Sequence, residues 1–180
     1  MIDSKKEKNL SAELAASHTS QLFPHFPIFY ISPTLLIILK WISPLNCRFT
    51  QLSAGVFEGL SKLRSLSIIG AKSLHRLEED FFLRLTKLES LILSDSGLRE
   101  FPFDGICSLQ KLQVLDLSKN LLTSVRLGIF LPRPVNHPCQ LINLIVLNIA
   151  ENSIQIISEQ DLLPFPSLRL LNLFNNKLIE

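Results

Sequence analysis

The chain has 180 residues, enough for one domain with a core, and 47% of them are hydrophobic, which excludes simple disorder. Its 18 basic and 16 acidic residues leave a net charge of +2 with no lysine or arginine block, so composition gives no reason to expect a nucleic-acid partner. Three cysteines are too few for a disulfide-framework miniprotein and lack metal-ligand spacing.

Residues 1–25 read as a disordered polar segment, with Lys5, Lys6 and Lys8 and the sequon Asn9-Leu10-Ser11. Residues 26–38 are apolar and admit three readings. One is an edge strand covering the first repeat, the second a secretory h-region behind the basic residues. The third is a short membrane span within 26–43, broken by Pro27 and Pro33.

From residue 39 a repeat dominates. One template recurs as Leu63-x-x-Leu66-x-Ile68, Leu88-x-x-Leu91-x-Leu93, Leu112-x-x-Leu115-x-Leu117, Leu144-x-x-Leu147-x-Ile149 and Leu168-x-x-Leu171-x-Leu173, with first positions 25, 24, 32 and 24 residues apart. The alternation around Leu-x-Leu predicts a short strand with one buried face. Asn120, Asn152 and Asn176 come after the last three strands. A side-chain amide there can turn inward and satisfy backbone groups at a buried bend. Ser96 stands at that site in the unit before and can replace part of the bonding, whereas Ala71 cannot. Further inward anchors recur at matching offsets, Leu77, Phe101, Val125 and Ile157 after the strands and Leu60, Leu85, Leu109, Leu141 and Phe165 before them. No unit buries seven such side chains alone, so stability must come from stacking neighbours. A degenerate first unit places Leu39, Ile42, Pro44, Cys47 and Phe49 on the template.

These residues resemble leucine-rich repeats of the typical, extracellular class. The resemblance implies an α/β-type repeat solenoid over 39–180, a horseshoe with short parallel strands on its concave face and irregular or helical turns on the convex face. It also implies that Asn120, Asn152 and Asn176 stack as a ladder. The run Phe57-Glu58-Gly59-Leu60 through Ile68, with Cys107 before Leu112 and a lengthened unit at 112–143, resembles the amino-terminal ectodomain of invertebrate Toll receptors. The chain ends partway through a unit and reads as a fragment whose last coil leaves apolar surface uncovered.

Residues alternating with the buried strand positions form the candidate binding face: Ser90, Ile92, Val114, Asp116, Val146, Asn148, Leu170 and Asn172. Cys107 and Cys139 each lie five residues before a strand, in equivalent register of consecutive coils. They can therefore form a disulfide, the rival reading being three reduced thiols. The histidines share no ligand spacing, Glu78-Glu79-Asp80 reads as a solvated face, and no phosphate loop or nucleophile motif occurs, so neither enzyme activity nor a cofactor or metal is expected. The resemblance implies the ligand-recognition fragment of a Toll-like cell-surface receptor, with a protein ligand or co-receptor as partner. A secreted matrix or adhesion protein and a cytosolic adaptor are the alternatives.

Overall fold

A computed structural model of the chain describes residues 37–42, 51–52, 61–103, 105–125 and 140–179, the first two stretches as backbone. Six parallel strands form one sheet in the order β1 (Ile37–Ile42), β3 (Leu63–Ile69), β5 (Ser90–Ile92), β6 (Val114–Asp116), β7 (Val146–Asn148) and β8 (Leu170–Asn172). A two-stranded ribbon pairs β2 (Gln51–Leu52) with β4 (Arg76–Leu77). Each strand feeds a return loop and then its neighbour, so the chain winds as a solenoid with its strands on one side. The return side carries short 3-10 turns at Glu79–Phe82 and Gly105–Ser108 and a one-turn helix at Glu159–Leu162. A coil of about 24 residues leaves no room for more.

The template explains the packing. Leu66, Leu91, Leu115 and Leu147 stand opposite one another across the sheet and are fully buried. Leu63, Leu88, Leu112 and Leu144 fill the next layer, and Ile68, Leu93, Leu117 and Ile149 the third. Each buried side chain is worth very roughly 1.5–3 kcal/mol. The anchors Leu77, Leu85, Leu109, Leu141, Val125 and Phe165 close the far side, while Ile157 is half-buried. Between the second and third coils an aromatic run stitches the return loops. Ring centroids are 4.9 Å apart for Phe81–Phe82, 5.6 Å for Phe82–Phe101 and 4.7 Å for Phe101–Phe103.

Strands of three residues cannot hold adjacent coils by sheet bonds alone. The ladder therefore continues past their ends. Leu93, Leu117 and Ile149 donate N–H bonds of 2.8–3.0 Å to Asp116, Asn148 and Asn172 of the next coil. Two residues later Asp95, Lys119 and Glu151 donate to Ser118, Ala150 and Phe174 at 2.8–3.1 Å. These three residues and Asn175 share a left-handed backbone, φ 52–58°, at one template position. Turning the chain inward while keeping that bond requires the conformation, and no glycine marks it in those coils.

The first unit departs from its sequence register. The template spacing puts Leu39 at the first position, but Leu39 pairs with Leu66, and Ile37 pairs with Leu63 before an irregularity between Ile37 and Ile38. The hydrophobic run 37–42 is apolar at nearly every position and so carries no period of its own to fix the phase. Phe57, Leu60, Pro44, Cys47, Phe49 and the residues before 37 lie outside the described residues, as does Cys139.

Candidate binding face

The strand pairing brings the eight face residues together in two files. Ser65, Ser90, Val114, Val146 and Leu170 align across β3, β5, β6, β7 and β8, and Ser67, Ile92, Asp116, Asn148 and Asn172 align one step further along. The first file turns from serine to branched aliphatic side chains after β5. The second becomes an acid–amide stripe over the same three coils.

That stripe is held by its own backbone. Asp116 Oδ1 accepts the Ser118 N–H at 2.9 Å, Asn148 Oδ1 the Ala150 N–H at 3.2 Å, and Asn172 Oδ1 the Phe174 N–H at 3.1 Å. These Asx turns fix each side chain at its strand end. Asn148 Nδ2 also donates to Asp116 Oδ2 at 3.0 Å, tying neighbouring coils. Beside the stripe Leu170 is 52% and Phe174 75% exposed. Phe174 follows Asn172 by one step of the same period of two, which the alternation along the sequence already places on this face.

Behind the face the amides face inward. Asn120 Nδ2 donates to the carbonyls of Leu93 (2.7 Å) and Leu117 (2.9 Å), and its Oδ1 accepts the N–H groups of Ser96 and Leu98 at 3.1 Å. Asn152 donates to Leu117 and Ile149 at 3.0 Å and accepts from Leu122 at 3.0 Å. Asn176 donates to Ile149 and Leu173 and accepts from Ile154. Each amide thus bonds its own coil and the one before. Ser96, fully buried, reaches the Ile68 carbonyl at 3.3 Å and the Ser94 carbonyl at 3.0 Å, but a hydroxyl spans fewer groups than an amide.

Cys107, half-buried in the turn after β5, is disulfide-bonded. Among the described residues no group of three metal-ligating side chains occurs, and no helix is long and apolar enough to cross a membrane.

A leucine-rich-repeat family profile matches residues 139–178. The leucine-rich repeat-containing G-protein coupled receptor 5 of Rattus norvegicus is 36% identical over 120 residues, 67% of this chain and 12% of that protein. Toll-like receptor 7 of Drosophila melanogaster is 33% identical over 90 residues, 46% of this chain and 6% of that protein. The chain thus spans about an eighth or less of these relatives. Among solved structures, the LRIM1/APL1C complex matches with a TM-score of 0.65 at 20% identity, over 79% of this chain and 25% of the other. The Toll–Spatzle complex, from Drosophila, matches at 0.58 and 24% identity, over 72% and 18%. Repeat template, stacked parallel strands, inward amides and relatives converge: the chain is a leucine-rich-repeat protein that resembles the ectodomains of Toll-like receptors.

Proposed function

We propose that this solenoid, a protein-interaction scaffold by fold, is the ligand-recognition part of a Toll-like cell-surface receptor, and that it binds a protein on its strand face. The observation that carries the reading is the stripe Asp116–Asn148–Asn172, fixed by its own backbone bonds beside exposed Leu170 and Phe174. Rigid polar groups next to exposed apolar ones suit a protein contact, where anchors bring area and fixed polar groups bring specificity. The two solved structures named above are themselves protein complexes.

The test is binding of the full chain to a panel of individually purified secreted and ectodomain proteins. A hit whose affinity falls at least tenfold in Leu170→Asp/Phe174→Asp, and is unchanged in Leu83→Asp on the return side, supports the strand face. Equal losses from both faces, or no hit, would overturn it.

The disulfide favours an oxidising location over the cytosol. We assign Cys139 as the partner of Cys107. Gln110 Nε2 donates both to the Cys107 carbonyl at 2.8 Å and to the carbonyl of Gln140, the residue bonded to Cys139, at 3.1 Å. Non-reducing peptide mass spectrometry of secreted protein is expected to give a Cys107–Cys139 linkage with Cys47 free. A Cys47–Cys107 peptide would refute the assignment.

A further inference from the structure

The two rims of the sheet carry charge differently. On the trailing rim two lysines have a carboxylate from the next coil: Lys72–Asp95 at 3.8 Å and Lys119–Glu151 at 3.7 Å. On the leading rim Lys62, Lys87 and Lys111 occupy one template position, directly before Leu63, Leu88 and Leu112. All three are exposed, and none has an ion-pair partner among the described residues. The neighbouring carboxylate, Glu89, is taken by Arg64 at 2.9 Å. Equivalent positions in adjacent coils are ~5 Å apart, so the lysines form a file ~10 Å long across the strands. Like charges stacked this closely repel. The next two coils put Asn143 and Ser167 at the same position, so the fold does not need lysine there.

We propose that this file is a docking site for a sulfated polysaccharide chain, laid across the strands with its sulfates on Lys62, Lys87 and Lys111. A regular row of cations with no internal counter-charge matches a polyanion. The flanking side chains choose among polyanions. Single-stranded nucleic acid needs aromatic platforms for its bases. Here the positions beside the lysines are Ser61, Thr86 and Gln110 on one side and Arg64, Glu89 and Gln113 on the other, with no ring among them. Hydroxyl, amide and guanidinium groups instead suit sugar hydroxyls and sulfates. The inference rests on the extracellular location proposed above, where such polymers occur, but uses a different surface from the strand face.

The experiment measures binding of the intact chain to immobilised heparin near physiological salt. Lys62→Ser/Lys87→Ser/Lys111→Asn installs residue types the later coils already carry. It is expected to weaken binding about a hundredfold, from the usual contribution of a lysine at an anionic surface. The charge-matched control Lys72→Ser/Lys119→Ser/Lys177→Ser should change it less than about threefold, because those lysines lie off the file. Desulfated heparin and oligo(dT) should bind at least tenfold more weakly than heparin. Equal losses in the two triple variants, no heparin binding by the parent chain, or oligo(dT) binding as tightly as heparin would each overturn the proposal. Leu170→Asp/Phe174→Asp should leave heparin binding intact, so failure of the strand-face reading and failure of this one are separable.

Discussion

Asn152→Leu is expected to destabilise the chain by about 2 kcal/mol and to lower its thermal unfolding midpoint by about 6 °C. Leucine has nearly the right volume, so the loss is one of hydrogen bonds rather than packing. One buried backbone group would lose its bond, the Leu122 N–H, which Asn152 Oδ1 accepts at 3.0 Å. The Leu117 carbonyl keeps a bond from Asn120 and the Ile149 carbonyl one from Asn176, each at 2.9 Å, so both should contribute little. An unpaired buried polar group costs about 1–3 kcal/mol, and that one group sets the estimate. Asn143→Leu is the control. Asn143 is exposed and makes one bond, to the Gln110 carbonyl at 2.7 Å, so its loss should cost under about 1 kcal/mol. Asn175 serves less well, since its φ of 54° adds backbone strain to any replacement by leucine. Circular dichroism melts of the three chains decide it: similar midpoints for the Asn152 and Asn143 variants would remove the inward amides from the account of stability.

The later coils were legible because two independent signals coincide there. Leucine spacing sets the period, and Asn120, Asn152 and Asn176 set its phase, so strand limits and face residues fell within a residue or two. Where the amide is missing the phase is lost, as β1 demonstrates: Leu39 fits the template three residues from where it pairs. The shared left-handed position of Asp95, Lys119, Glu151 and Asn175 was invisible for another reason. Its cause is a bond to the next coil, and Lys119 and Glu151 carry no turn signature, so the Asp and Asn of the other two coils do not stand out as a shared position. The Asx bonds of Asp116, Asn148 and Asn172 likewise look like ordinary exposed polar residues until the strand ends are placed. The lysine file needed only the register, yet a composition count averages it away against the balanced remainder of the surface.

Gly97→Ala is the second large effect, expected at about 3 kcal/mol, and it arises from a neighbour that periodicity does not reveal. The equivalent positions in later coils are Leu121, Ser153 and Lys177, all with side chains and none at positive φ, so the site does not demand glycine in general. The second coil is the exception, because it carries one extra residue before Leu74. Gly97 packs against this altered bend at φ 72°, and a Cβ there would stand 2.2 Å from the Lys72 carbonyl oxygen and 2.9 Å from its carbon. Both atoms belong to the backbone, so no rotamer change relieves the overlap. Left-handed strain of about 1–2 kcal/mol adds to an overpacking cost of about 1–3 kcal/mol. Ser153→Ala, at the same template position, should move the midpoint by less than about 2 °C, as most surface substitutions do. Hydrogen exchange should localise the effect, with protection lost first at the amides of Gly70 and Arg99, which donate to Ser94 and His75 across the disturbed junction. A Gly97→Ala chain that melts with the parent would show that the second coil can shift its Lys72 bend freely, and the close approach would then play no part in holding that coil to the next.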